Sequence, residues 1–188
     1  MKYFILLSYN YNKMKTIKHY ENVALSNTDI LGMLDNKAQI VLYPDLINYN
    51  SIDEVLGPYG ACILLFEAKK NFGHWCCLFK RDENTIEFFN SYGGYPDNSL
   101  KFIPLHFRKI SNQYYPYLSL LLLECPYELH YNEFKFQKRA NDIKTCGRWC
   151  VIRILLRHLS IYEFKNFIDQ MCKYYKAKPD EIITMMTI

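Results

Sequence analysis

Gln137-Lys-Arg-Ala-Asn-Asp-Ile-Lys-Thr-Cys146-Gly147-Arg-Trp-Cys150, followed by an apolar run from Val151 to Leu159, is the stretch around which the chain is organised. It reads as a polar loop ending in a cysteine, with an apolar helix beginning at that cysteine. A thiol at a helix N-terminus meets unpaired backbone amides and the positive end of the helix dipole. Both favour the thiolate, which is the nucleophilic form of cysteine. Cys146 is therefore the candidate nucleophile. Gly147 has no side chain, so a substrate backbone can come close there.

A cysteine is more often a small buried hydrophobe than a catalyst. The chain has seven: Cys62, Cys76, Cys77, Cys125, Cys146, Cys150 and Cys172. Cys146 stands apart because Thr145 precedes it, Gly147 follows it, and the helix starts there. Cys150, one turn on, reads as core.

At 188 residues the chain suits one domain with a proper core, spanning residues 1–188, with residues 1–20 a candidate packing arm. Half of it is apolar and 16% aromatic, a globular composition. Its net charge of +4 is spread along the sequence. That implies a weak, salt-sensitive affinity for polyanions such as DNA, without the concentrated basic stripe of a nucleic-acid reader. The cysteines are odd in number and lack the paired spacing of a structural zinc site, so free thiols in a reducing compartment are expected, with no metal and no cofactor. The apolar run Tyr3 to Leu7 is too short for a signal-peptide core. Leu118 and Leu120 to Leu123 fit a buried element, not a membrane span, and no membrane partner is expected.

Taken in order, Tyr3 to Tyr9 suits an edge strand or an arm. Ser26 to Asp29 reads as a capping box opening a short helix, and Ser51 to Glu54 as a second, stopped by Gly57-Pro58. Gln39 to Tyr43 is a short strand; Ala61 to Glu67 is a strand buried on both faces. Asn71 to Lys80, a turn at Arg81 to Asn84, and Thr85 to Asn90 form a hairpin. An odd loop would set His74 directly opposite Asn90; an even one would set it opposite Ser91. Asn98 to Leu123 is mixed and helical, broken at Pro104 and Pro116. Tyr127 to Gln137 reads as a strand leading into the loop, Cys146 to Leu159 as the strongest helix, and Ile161 to Lys176 as an amphipathic one.

A thiol nucleophile needs a base, a group that orients the base, and donors for the oxyanion. His74 follows a turn glycine at a strand end and is the candidate base. His19, His106, His130 and His158 read as structural. Asn90 can accept from the ring N–H of His74 and orient it, and a Cys-His-Asn set is chemically sufficient. Gln137 can offer its amide to the oxyanion together with the Cys146 N–H.

Together, Gly73-His74-Trp75, then Phe88-Phe89-Asn90-Ser91-Tyr92-Gly93, then Gln137, then Thr145-Cys146-Gly147-Arg148-Trp149 resemble the adenain-like and SUMO-protease-like cysteine peptidases of clan CE. The likeness covers roughly residues 40–170. The order His, Asp or Asn, Gln, Cys is that family's order. Tyr43-Pro-Asp-Leu and Tyr95-Pro-Asp look like its viral branch, the maturation proteases of large DNA viruses, virophages and polinton-type elements. The resemblance implies an α+β fold, a mixed central sheet flanked by helices with the cysteine helix at its centre. It implies His74 as general base and later general acid, Trp75 as a wall of a narrow peptide channel, Gln137 in the oxyanion hole, and cleavage beside small residues, typically glycine. It also leaves room for a DNA or peptide activator. The family more often has Asp where this chain has Asn90, which keeps Asp97 as a distant substitute.

The expected function is a cysteine endopeptidase that processes viral capsid precursors, acting in the virion and in the host cytoplasm or virus factory. Two alternatives are a deconjugating protease for a ubiquitin-like modifier and an inactive protease-fold scaffold. A nucleic-acid-binding protein would rest on net charge alone.

Overall fold

The sheet is built largely from short apolar runs bounded by turn residues. In the computed structural model, which describes residues 15–70 and 72–188, it has five strands: β1 (Gln39–Leu42), β2 (Ala61–Lys69), β3 (Phe72–Lys80), β4 (Thr85–Phe89) and β5 (Glu128–Tyr131). They lie side by side in chain order. β1 runs parallel to β2, β2 to β4 are antiparallel, and β5 runs parallel to β4. The fold is thus α+β with a mixed five-stranded sheet. The expected arm at Tyr3 to Tyr9 lies outside the described residues, and residues 15–21 are helical (α1).

Both sheet faces are apolar because the central runs Ala61 to Phe66 and Trp75 to Phe79 are apolar at every position. On one face Ile63, Cys77, Phe79 and Phe89 pack against Trp149, Cys150, Phe164 and Ile182. These come from α6 (Cys146–Leu155), α7 (Ile161–Tyr175) and α8 (Pro179–Met185), with α2 (Asn27–Met33) beside them. On the other face Leu64, Phe66, Cys76, Leu78 and Phe88 pack against Tyr43, Leu46, Val55 and Leu118. Those belong to a 3-10 turn at Tyr43–Asn48, to α3 (Ile52–Leu56) and to α5 (Tyr117–Leu123); a second 3-10 turn (Asn98–Phe102) and α4 (Leu105–Ile110) lie between β4 and α5. Phe164 holds an aromatic cluster, its ring centroid 6.1 Å from Phe89, 5.3 Å from Phe136 and 6.3 Å from Trp149.

The caps follow the sequence closely. Ser26 and Asp29 form a full capping box on α2. Ser51 accepts from the Glu54 N–H, but the Glu54 carboxylate turns to the Asn50 N–H at 2.9 Å, so the second box is half made. The expected helix to Leu159 stops at Leu155. The reason is Arg153, whose guanidinium donates to the Leu156 and Leu159 carbonyls at 2.8 and 2.7 Å. It also grips Glu87 of β4 with two bonds of 2.7 Å, and both side chains are fully buried. Paired guanidinium and carboxylate of this geometry tie the helix to the sheet, and removing one partner would strand the other charge.

The expected strand Tyr127 to Gln137 is only four residues long, Glu128–Tyr131. Beyond it the chain is held by side chains: Asn132 accepts from the Asn90 N–H at 3.0 Å and donates to the Asn90 carbonyl at 2.7 Å. An amide side chain here takes the place of a strand. The hairpin register also differs from expectation. Lys80 pairs with Ile86, leaving five residues between them, and Cys77 pairs with Phe89. The loop is odd, yet continuing this register sets His74 opposite Tyr92 and Asn90 opposite Cys76. His74 and Asn90 share a face, one step along the diagonal. α8 was not anticipated; Lys176, in a left-handed conformation at φ 51°, ends α7 and frees the chain to start it.

Candidate functional site

Cys146 starts α6, and its helix packs across the centre of β3. Thr145, at the cap position, does not cap the helix, because its hydroxyl donates to Asp180 at 2.6 Å. The backbone N–H groups of Trp75, Gly147 and Cys146 are near enough to the Cys146 sulfur to favour its thiolate. They pull the thiol's pKa down, as expected of a helix start. Burial outweighs them, and the thiol ends above its ordinary value. The helix N-terminus alone therefore does not make the thiolate the resting form.

His74 is placed by its neighbour. A Cβ at Gly73 would lie 1.9 Å from the Phe66 carbonyl oxygen, so only glycine lets β3 meet β2 here, beside a register shift between Glu67 and Lys69. The ring stacks on Tyr92, centroids 4.6 Å apart at 21°. Its Nε2 is 2.8 Å from Asn90 Oδ1. The Asn90 amide is fixed by further bonds: Oδ1 accepts from the Tyr92 N–H at 2.9 Å, and Nδ2 donates to the Gly93 carbonyl and to Ser99 Oγ, each at 3.2 Å. Its oxygen must then face the imidazole. His74 Nε2 carries the proton, and Nδ1 is left as the acceptor. Burial lowers the His74 pKa to about 4; the Asn90 bond opposes this, and the charge of Arg139 adds to it.

Gln137 is similarly keyed. Oε1 accepts from the Ser91 hydroxyl at 2.7 Å, and Nε2 donates to the Ile143 carbonyl at 3.3 Å. One Nε2 hydrogen remains for another acceptor. The backbone N–H groups of Phe136 and Gln137 both reach the Ser91 carbonyl at 2.9 Å.

Cys146, His74, Asn90, Gln137 and Trp75 all line one cavity of about 820 Å³. The indole of Trp75 is fixed by a bond to the Leu25 carbonyl at 3.3 Å. Among the described residues no hydrogen bond joins Cys146 Sγ to the His74 ring, so a thiol-to-imidazole transfer requires the two to close together. Catalytic bonds are commonly longer in a free site than in a loaded one.

Two expectations are corrected. Gly147 does not line the cavity: a Cβ there would come within 3.2 Å of Ile30 and Trp75 and 3.3 Å of Leu25. Its missing side chain makes room for the packing of these residues on α6. Asp97 does not stand in for Asn90, because its carboxylate accepts from the Tyr43 hydroxyl at 2.6 Å and from the Ser119 N–H at 2.8 Å.

Several residues of the site carried no role in the sequence. Asp180 of α8 is buried and accepts from Thr145, from the Trp149 indole at 2.9 Å and from the Lys138 N–H at 2.9 Å, pinning both ends of the loop before Cys146. Asn132 holds the Asn90 backbone. Ser91 and Tyr92 lay inside the quoted motif, which was their one signal. Among the described residues, no group of three His, Cys, Asp or Glu side chains is placed to hold a metal ion, and no helix is long and apolar enough to cross a membrane. All seven cysteines are free.

No family model matches the chain. Among solved structures, the central domain of the uncharacterized Lpg1148 protein from Legionella pneumophila is similar over 87% of this chain and 85% of its own, at 13% identity and a TM-score of 0.32. The "Uncharacterized protein V9" of Sputnik virophage is 77% identical over 175 residues, which make up 93% of this chain and 100% of that protein. At that identity over that span, the chain belongs to the virophage protein family of which the Sputnik protein is a member.

Proposed function

We propose that the protein is a cysteine endopeptidase of the clan CE type that processes capsid precursors at small-residue, glycine-containing sites in the infected cell. The observation that carries this is the fixed tautomer of His74. Asn90 holds the Nε2 proton, which leaves a basic Nδ1 in the same cavity as a cysteine at a helix start.

In this reading His74 Nδ1 takes the thiol proton as Sγ attacks the carbonyl carbon of the substrate. The oxyanion is met by the Cys146 N–H and by the spare hydrogen of Gln137 Nε2. The C–N bond breaks as His74 returns its proton to the leaving amine. Water, deprotonated by the same imidazole, then releases the acid from the thioester.

The test is incubation of the virophage's own capsid precursors with the wild-type protein and with Cys146→Ala. Cleavage beside small residues by the wild type alone is expected, with Asn90→Ala slowing it less than His74→Ala. Cleavage that survives in Cys146→Ala, or a wild type that cuts none of the precursors, would sink the proposal. The neutral resting thiol and imidazole favour one second reading, an inactive scaffold. It predicts that Cys146 never reacts faster than an ordinary buried thiol. Cleavage of a modifier conjugate in place of a precursor would move the activity to ubiquitin-like substrates.

A further inference from the structure

The cavity around Cys146 has an uneven charge. No Asp or Glu lines it, whereas Arg139 and Lys144 do. Arg139 is an exposed residue whose guanidinium carbon lies 4.8 Å from the centroid of the Tyr92 ring and 4.3 Å from that of Phe102. Among the described residues it has neither an ion pair nor a side-chain hydrogen bond. An arginine set on aromatic faces is pre-organised and weakly hydrated, and its planar donors remain free for a carboxylate. Tyr92 also stacks on the His74 ring, so this cation is fixed close to the candidate base.

We propose that Arg139, braced on Tyr92 and Phe102, is a subsite for a carboxylate, so that the cavity selects peptides with an Asp or Glu near the cleaved bond. This rests on the peptidase reading and names a substrate class for it. It also gives bound substrate a part in activation. The charge of Arg139 works against protonation of His74. A substrate carboxylate paired with Arg139 cancels that charge and lets the imidazole take the thiol proton more readily.

The test uses two alkylating agents of similar size, anionic iodoacetate and neutral iodoacetamide. In each reaction the Cys146 S–C bond forms and iodide leaves. Rates at Cys146 are read by peptide mass spectrometry at one pH, with Cys125 and Cys172, which are partly exposed, as internal references. The iodoacetate-to-iodoacetamide ratio at Cys146 should exceed that at the references. It should fall about fivefold in Arg139→Gln, the size of one partly screened charge contact, and be restored in Arg139→Lys. A ratio unchanged in Arg139→Gln, or one that drops in Lys144→Gln instead, overturns the subsite while leaving the peptidase reading standing. If Cys146 reacts with neither reagent, both fall.

Discussion

His74 Nε2 lies 2.8 Å from Asn90 Oδ1, and the amide that makes this contact is itself held at three other points. The imidazole is thereby oriented but not charged: burial sets its pKa at about 4. The folded protein binds this proton less readily than the unfolded chain, whose histidine titrates near 6.5. The stability so gained is full above about pH 6.5 and is lost as pH falls from there towards 4. A loss of roughly 3 kcal/mol over that window follows from a shift of this size. Urea unfolding at steps between pH 7 and 4 should show it in the wild type, and His74→Gln should show a flatter curve. Parallel curves would mean that the imidazole is not held neutral.

Replacing the amide with a carboxylate should reverse the balance at His74. Asn90→Asp sets a negative charge where Oδ1 now accepts, and this favours the imidazolium. The His74 pKa should rise by more than about one unit, read by NMR of the ring in a Cys146→Ala background. An unchanged titration would mean that Asn90 does not control the ring.

The sequence singled out Cys146, His74 and Asn90 because each sat in a short local signal: a glycine before His74, a turn after Asn90, a helix start at Cys146; Gln137 had no such signal and was singled out only with the family resemblance. The sequence did not reveal how those signals are joined. Asn132 and Asp180 act across 42 and 35 residues respectively, through side-chain bonds that leave no period or spacing in the chain. The sequence left the hairpin's parity open, and neither alternative contained the two-residue offset, since both depend on where Lys80 and Ile86 close the ladder. Gly147 is ambiguous in the sequence for a related reason. A glycine before a helix turn looks the same whether it makes room for a substrate or for Ile30, Trp75 and Leu25.

The Cys146 thiol offers a direct check on the resting state. Its pKa is raised by burial, and His74 is neutral down to about pH 4. In the free protein, iodoacetamide should therefore modify Cys146 slowly at pH 6, and the rate should climb through the alkaline range. A fast plateau below neutrality that disappears in His74→Ala would reveal a standing thiolate–imidazolium pair. The proton would then have moved before any substrate arrived.

Asp180 should matter to Cys146 without touching it. Its two oxygens accept hydrogen bonds from Thr145, Trp149 and the Lys138 N–H in a site almost closed to water. Asp180→Ala leaves three donors unsatisfied, a cost of roughly 3–5 kcal/mol. Asp180→Asn can keep the Thr145 and Trp149 bonds on its oxygen, but it turns an NH₂ towards the Lys138 N–H, a cost of about 1–2 kcal/mol. At about 2–4 °C per kcal/mol for a chain of this size, calorimetry should rank Tm as wild type, then Asn, then Ala. The loop from Lys138 to Thr145 loses its anchor in the same order, so alkylation of Cys146 should quicken as Tm falls. An Asp180→Ala protein melting within a degree of the wild type would show that α6 is held by its apolar packing alone. Asp180 would then have no part in setting Cys146.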